Sequence, residues 1–355
     1  MTNTTDLTKV ADAIRAKSGQ TGQLVYPDGF ASAVAGIKKA PATPYMEAEY
    51  IAVEEGGGIT SHYIKRAKLY NHTAIYMKEF SGQEQLQNLD FSDASNNITA
   101  IESNAFEYAL VDGLVLPNTI SVLGPSCFAT AYITTLTIPP LVTVLPIQAF
   151  SYIQPVYNTE MGEELPINII LPQNLTKIGI SCFEGAPIKQ ITIPDTVTEI
   201  EYGAFSYCKQ LASITLPLGL QKISDRVFAQ CTSLTSITIP AAVTMLGSEA
   251  FQGCESLAYM DIQANATVIP DSFAEGCQLT ELTIPASVAS IGNYAFAGIN
   301  VNQMTLTVLP TTPPTLGSIA FTLATGSVIK VPAASVAAYK AATNWSSYAD
   351  YIVGV

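Results

Sequence analysis

The chain has 355 residues and a net charge of −13, and only 13% of its residues are charged. This acidic balance, without a basic cluster, excludes a nucleic-acid surface, where lysine and arginine must replace phosphate counterions. Threonine and proline interrupt each apolar stretch before 18 residues, so we expect no insertion into a membrane.

Residues 1–40 predict a small helical module. Leu7, Val10 and Ile14 share one helical face, and Phe30 and Val34 share another beyond a turn. So short a segment buries too little apolar area to fold alone. We therefore expect it to dock on another chain, a second copy or the rest of the protein. Charged residues occupy the place of a signal peptide's apolar segment, so no signal peptide is expected.

Residues 41–94 predict a small β-rich neck that also caps the first coil of the following array. The stretches Tyr50–Val53, His62–Ile64 and Thr73–Met77 are typical of strands. His62 and His72 are the only histidines of the chain, and no cysteine lies near them in sequence. A metal site is therefore not predicted.

A repeat of 22 or 23 residues organises residues 95–332. Its first column is phenylalanine, at Phe106, Phe128, Phe150, Phe183, Phe205, Phe228, Phe251, Phe273, Phe296 and Phe321. Its second column is proline, at Pro117, Pro139, Pro172, Pro194, Pro217, Pro240, Pro285, Pro310 and Pro332, with Gln263 in place of one proline. Both columns share one 33-residue step, whose extra 11 residues lie between Phe150 and Pro172. Two columns with one period indicate a structural repeat.

Each repeat predicts one coil of a solenoid. Ser236–Ile239 alternates polar and apolar residues, as a half-buried strand does, and Pro240 ends it because proline cannot donate a ladder hydrogen bond. A single coil cannot bury its apolar edge, so coils must stack with their strands parallel. We predict an α/β repeat solenoid of about ten coils. Its interior would hold the phenylalanine column.

The units SLTSITIPAAVTMLGSEAFQGC and QLTELTIPASVASIGNYAFAG resemble the BspA-like leucine-rich repeats of bacterial surface proteins. The C-terminal stretch IKVPAASVAAYKAATNWSSYADYI also resembles the terminal segment of that family. The resemblance covers about residues 95–355 and implies a leucine-rich repeat fold. Because an architecture defines the family, the resemblance implies a binding or structural surface without naming its ligand.

The stretch ADAIRAKSGQTGQLVYPDGFASAVAGI is similar to a short N-terminal element of tail-type proteins of phages and prophages of Gram-positive bacteria. This resemblance implies attachment to other virion or tail proteins through residues 1–40. It would place the chain on a virion; the other location we consider is the extracellular or cell-surface space.

Residues 333–355 predict a C-terminal cap. Val336, Tyr339 and Lys340 have helical spacing, and Trp345 would cover the last coil. The cysteines also follow the repeat, with 23-residue steps through Cys208, Cys231, Cys254 and Cys277, while Cys127 and Cys182 precede a phenylalanine. We expect all of these thiols to be free and buried.

No phosphate-binding loop or nucleophile elbow occurs, and adjacent acids such as Glu163 and Glu164 usually face solvent. We therefore expect no catalytic residue, no cofactor and no metal. Variation on the outer face of the sheet marks one candidate binding surface, comprising Tyr259, Asp261, Glu281 and Thr283. The insertion marks the other, comprising Tyr157, Glu160, Glu163 and Glu164. An aromatic side chain beside hydroxyls and carboxylates suits a sugar or a peptide.

Three functions follow from these features. The leading hypothesis is a phage or prophage tail-associated adhesion protein that binds a bacterial surface glycan or protein receptor. The alternative is a bacterial cell-surface adhesin or host-interaction protein. The third is an enzyme acting on surface glycans. A homo-oligomer is compatible with the first two hypotheses.

Overall fold

The computed structural model describes residues 44–355 except 56–57, 85, 87, 112, 159–161 and 299–302. The predicted helical module at residues 1–40 and the candidate Glu160 lie outside the described residues. So does the side chain of the candidate Glu163.

The described coils stack with their strands parallel, and each strand is two to four residues long. The strands lie on two sides of the solenoid, where hydrogen bonding divides them into consecutive sheets that together we call the front sheet and the rear sheet. The front sheet contains Thr135–Thr137, Asn168–Ile170, Gln190–Thr192, Ser213–Thr215, Ser236–Ile239, Tyr259–Ile262, Glu281–Ile284, Thr305–Val308, Val328–Val331 and Ile352–Gly354. The rear sheet contains Ala74–Ile75, Ala100–Ile101, Val122–Leu123, Val144–Leu145, Lys177–Ile178, Glu199–Ile200, Lys222–Ile223, Met245–Leu246, Val268–Ile269, Ser290–Ile291 and Thr315–Leu316. The prediction of stacked coils with parallel strands is confirmed.

The third side of each coil is a run of tight turns around the core phenylalanine, hydrogen-bonded from coil to coil. Phe106 donates its N–H to the carbonyl of Cys127 (2.8 Å), and Phe128 donates to Ala149 (2.9 Å). Within the described residues, the only α-helix is Val336–Ala341 in the C-terminal segment.

The phenylalanine column forms the interior, as predicted. Its rings are fully buried, and consecutive centroids lie 5.1–6.1 Å apart. The stack begins one coil before the sequence column, because Phe80 packs on Phe106 at 5.4 Å. Burial of one such ring stabilises the fold by several kcal/mol, roughly the 3–5 kcal/mol lost on truncation to alanine.

Phe273 departs from its column. In a regular coil the core phenylalanine donates its N–H to the carbonyl of the residue just before the core phenylalanine of the next coil. Phe228, for example, donates to Ala250, which precedes Phe251 (2.8 Å). Phe251 instead donates to the carbonyl of Phe273 (2.8 Å), so Phe273 occupies the slot of Ala250. Ala274 takes the regular phenylalanine slot. Ala274 follows the strand end Ile269 by five residues, as Phe251 follows Leu246, so the coil has its regular length and phenylalanine and alanine have exchanged positions in it.

The six cysteines are free and buried, as predicted. Four of them donate their thiols to carbonyls of the preceding coil, for example Cys208 to Phe183 (3.0 Å) and Cys231 to Phe205 (3.1 Å). Burial raises the pKa of the Cys208 thiol, because the thiolate would lose its hydration there. These thiols therefore act as small apolar side chains with one satisfied donor.

The neck is built on an antiparallel hairpin of Tyr45–Glu55 and Gly58–Tyr70, and the strand Asn88–Asp90 pairs with the latter in parallel. The ring of His72 is buried. Its Nδ1 lies 3.0 Å from the Tyr70 carbonyl oxygen, and its Nε2 lies 2.8 Å from Glu79 Oε1. These contacts give His72 a structural role beside the first coil.

The C-terminal segment closes the other end of the array. A 3-10 turn at Ala333–Ser335 leads into the helix Val336–Ala341, and a second 3-10 turn spans Trp345–Tyr351. Trp345 is fully buried and donates Nε1–H to the Pro314 carbonyl (2.8 Å), while the Tyr339 hydroxyl donates to Pro310 (2.7 Å). Both hydrogen bonds fix the aromatic side chains over the last coil.

Candidate functional site

The front-sheet candidates lie on adjacent strands. Tyr259 pairs in register with Glu281, and the Tyr259 side chain is 47% exposed. Asp261 accepts a hydrogen bond from Gln263 Nε2 at 2.8 Å. Gln263 replaces proline here, and its N–H donates to the Ile239 carbonyl (3.0 Å), a bond that proline could not make. The exposed Thr283 completes this front-sheet patch.

The insertion forms a short antiparallel hairpin of Tyr157–Asn158 and Glu163–Glu164, in which Glu164 pairs with Tyr157. Leu165 donates its N–H to the Val156 carbonyl (2.8 Å) and anchors the base of the hairpin. Tyr157 is 58% exposed, and Glu164 is exposed as well. The hairpin therefore presents an aromatic ring and a carboxylate to solvent.

A groove of about 570 Å³ runs between the hairpin base and the next two coils. Its lining combines apolar, amide and charged side chains, contributed by Pro155, Glu164, Leu165, Pro166, Ile167, Asn168, Pro187, Lys189, Gln190 and Gln210. Among the sequence-predicted residues, Glu164 lines this groove. The front-sheet patch does not contribute to it.

A second cavity of about 390 Å³, which we call the tyrosine cleft, shares Pro187 and Gln210 with the groove. It is lined by Tyr152, Gly185, Pro187, Tyr207, Lys209 and Gln210. Sequence reasoning missed Tyr152 and Tyr207. The signal was present as Phe-x-Tyr at 106–108, 150–152 and 205–207, where a tyrosine follows the core phenylalanine by two residues.

Tyr152 is held in place by its neighbours in the next coil. Its hydroxyl donates to Glu184 Oε1 at 2.7 Å, and this hydrogen bond, with smaller contributions from burial and the charge of Glu184, raises the pKa of Tyr152 to about 12. A Cβ atom on Gly185 would lie 2.4 Å from two ring carbons of Tyr152. The ring therefore covers Gly185, and only glycine leaves room for it.

The described part of the chain holds no group of three or more His, Cys, Asp or Glu side chains placed to bind a metal ion. In the same residues, every buried side-chain nitrogen or oxygen has a hydrogen-bond partner. None of the helices described there is long and apolar enough to cross a membrane. The groove and the tyrosine cleft are thus surface features with hydrogen-bonding and stacking groups.

Three solved structures of bacterial proteins are similar to the chain. A leucine-rich repeat protein from Bacteroides ovatus is 20% identical, with a TM-score of 0.54, and the match covers 80% of this chain and 69% of the Bacteroides chain. A leucine rich cell surface protein from Faecalibacterium prausnitzii is 23% identical, with coverage of 66% and 70% and a TM-score of 0.41. The pneumococcal vaccine antigen PcpA is 14% identical, with coverage of 86% and 80% and a TM-score of 0.46.

The repeat itself identifies the family, although no curated protein matches the chain. Six copies of the BspA type leucine-rich repeat region match residues 64–166, 165–280 and 267–342. The first match begins before the Phe80 coil, in agreement with the start of the ring stack. These matches span most of the sequence, and the chain belongs to the BspA-type leucine-rich repeat family.

Proposed function

We propose that the chain is a non-enzymatic receptor-binding protein of a phage or prophage tail. In this proposal residues 1–40 attach it to the particle, and the exterior of the solenoid binds a bacterial surface glycan or protein. The inserted hairpin carries the recognition part of the proposal. It interrupts an array whose coils otherwise repeat every 22 to 26 residues, and its Glu164 lines the groove, which shares Pro187 and Gln210 with the tyrosine cleft.

A binding role is supported by how the side chains divide between the inside and the outside. The interior is a continuous apolar column, and the buried polar side-chain atoms of the described chain are already paired. Aromatic, amide and charged groups line the two exterior cavities instead. Such surfaces suit recognition, because aromatic side chains provide contact area while polar groups provide specificity.

Attachment to a tail is supported by the similarity of residues 11–37 to the N-terminal element of tail-type proteins. An exterior protein attached to a virion would leave the cell on lysis and need no signal peptide. A chain lacking residues 1–40 should keep the melting temperature of the solenoid but should not enter particles. Normal incorporation of the truncated chain would contradict this attachment.

Recognition can be tested by competition with the particles. Purified full-length chain, added to host cells before the particles, should occupy the receptor and reduce particle adsorption. The chain without residues 1–40 should compete equally well, because the solenoid would carry the binding surface. Failure of both proteins to reduce adsorption, at saturating concentrations, would refute the receptor-binding role.

Fractionation separates this proposal from a cell-surface adhesin. After induction of the prophage, the tail protein should sediment with particles and label on their tails in immuno-electron microscopy. Recovery of the native protein with cell envelopes, and its absence from purified particles, would replace the tail proposal with the adhesin.

A further inference from the structure

We propose that Tyr108, Tyr152 and Tyr207 form a row of stacking platforms that binds an extended, neutral β-linked glycan along the solenoid axis. This inference rests on the receptor-binding function proposed above and specifies the chemical class of the receptor. The three side chains, called the tyrosine row below, are 51%, 45% and 46% exposed.

The tyrosine row follows one column of the array. Hydrogen bonds run from Tyr108 N to Ala129 O, from Thr130 N to Ser151 O, from Tyr152 N to Glu184 O, and from Gly185 N to Ser206 O. The column therefore reads Tyr108, Thr130, Tyr152, Gly185 and Tyr207 in five consecutive coils. A tyrosine in every second coil gives a spacing of about 10 Å, since coils stack at about 4.8 Å.

These tyrosines occupy a backbone conformation that disfavours them. Their φ angles are 59°, 53° and 60°, in the left-handed region. Thr130 and Gln230 share this position and conformation, whereas Gly185, Gly253, Gly276 and Gly298 adopt it without strain. The array therefore accepts several side chains at this strained position, and the tyrosines differ from the others in presenting an exposed aromatic ring.

The tyrosine cleft shows how two members of the row cooperate. Tyr152 and Tyr207 both line it, the Tyr152 ring lies against Gly185, and Lys209 and Gln210 add hydrogen-bonding groups. Glu184 fixes the Tyr152 ring through the hydroxyl, so the ring is oriented before a ligand arrives. The volume of about 390 Å³ suits a few sugar rings more than a folded partner.

Glycan chemistry fits this row. A pyranose ring has a face of C–H groups that stacks on an aromatic ring and a rim of hydroxyls that hydrogen-bonds to amides and amines. In an extended β-1,4-linked chain every second ring presents the same face, so its repeat is a disaccharide. The spacing of the tyrosine row matches that repeat, and the nearby Lys209 and Glu184 give no single sign of charge.

A peptide ligand fits less well. Extended peptides bind by adding a strand to a sheet edge or by placing apolar anchors in pockets. The backbone N–H groups of Tyr108, Tyr152 and Tyr207 are already used in hydrogen bonds between coils. The column therefore offers a row of side chains and no free strand edge.

The test uses the full-length chain and isothermal titration calorimetry with two probes, cellohexaose and chitohexaose. At least one probe should bind, whereas maltohexaose, whose α-linkages curl the chain, should bind at least about tenfold more weakly. The Tyr152→Gly and Tyr207→Gly variants should each weaken binding by roughly tenfold, the loss expected for one stacking residue. Their melting temperatures should stay close to that of the wild type, because glycine suits the left-handed conformation.

Tyr294→Gly is the matched control, since Tyr294 is also left-handed (φ 55°) and 43% exposed but lies in another column. It should leave glycan binding unchanged. Absence of binding to both β-linked probes, or equal losses in the control, would overturn the glycan assignment.

Cell binding separates this inference from the proposed function. Cellohexaose or chitohexaose, whichever binds in calorimetry, should displace the chain from host cells, and protease treatment of the cells should not reduce binding. Binding that neither oligosaccharide displaces and that is lost after protease would overturn the glycan assignment while leaving receptor binding intact. No binding to untreated cells would refute the proposed function itself.

Discussion

Phe251 and Phe273 meet edge to face, with ring planes 80° apart and centroids 5.4 Å apart. Phe228 and Phe251, one coil earlier, stack with planes only 15° apart. The difference follows from the one-residue shift that places Phe273 in the alanine slot. The array tolerates this change because the neighbouring Ala274 vacates the space that the displaced ring needs.

Exchanging Phe273 and Ala274 should show that the core accepts the ring at either position. Phe273→Ala should destabilise the protein by about 3–5 kcal/mol through lost burial and a cavity. The double variant Phe273→Ala with Ala274→Phe should recover most of that loss by restoring the regular stack. Urea unfolding provides the comparison, and a double variant no more stable than the single one would contradict the assignment.

Gly185 should tolerate no side chain. Alanine there would be strained at φ +67° and would bring Cβ to within 2.4 Å of the Tyr152 ring. We expect Gly185→Ala to cost about 1–2 kcal/mol from the backbone alone. Gly219→Ala is the control, since its added Cβ would meet only the Asp195 carbonyl at 3.8 Å. Equal melting temperatures for the two variants would argue against the placement of Tyr152.

Alkaline pH should destabilise the fold through the buried cysteines. Burial raises the pKa of the Cys127, Cys182, Cys208, Cys231 and Cys277 thiols in the folded state. The unfolded chain therefore releases thiol protons first, from about pH 8.5 upward. Since the folded state then binds more protons, the free energy of unfolding must fall as pH rises through this window.

Denaturant titrations from pH 7 to pH 10, under reducing conditions, measure this slope. Cys208→Ala should make the slope shallower, because one group no longer contributes. In the native state at pH 8 the thiols should also resist alkylation by iodoacetamide, and they should react once the protein is unfolded. Rapid alkylation of the native protein would contradict their burial.

Trp345 should report the integrity of the C-terminal cap. It is the only tryptophan and is fully buried against Tyr339, with ring centroids 5.0 Å apart. Its emission should be blue-shifted in the native state and should move to the red on unfolding. Tyr339→Phe removes the hydrogen bond to the Pro310 carbonyl and should cost about 1–3 kcal/mol. Red-shifted emission before any denaturant is added would contradict the cap.

The interior could be predicted from the sequence because its residues recur with the period of the coil. The Phe128, Pro139 and Cys231 columns each occur in several coils, so the inward positions followed from spacing alone. The shift at Phe273 could not be predicted, because phenylalanine and alanine are adjacent there and either can occupy the core slot. Only the hydrogen bonds between coils distinguish them.

The surface was harder to predict. The front-sheet patch was marked by variation on the outer face of the sheet, and Glu164 lay in a visible insertion. The binding roles of both stay predictions. Tyr152 and Tyr207 are separated by 55 positions in sequence although they face one cleft. Their left-handed backbone and the glycine between them are properties of the folded coils, which residue spacing does not express. Phe80 escaped notice because its coil has no proline at the usual position.

In the proposed function, the exterior of the solenoid beside the inserted hairpin binds the bacterial receptor. The most direct test is an equilibrium binding isotherm of the labelled full-length chain on intact host cells. We expect saturable binding that unlabelled wild-type protein displaces. The triple variant Tyr157→Ala, Tyr152→Gly, Glu164→Gln should displace the labelled chain far less effectively. Uptake that never saturates, or equal displacement by the folded triple variant, would contradict the proposed function.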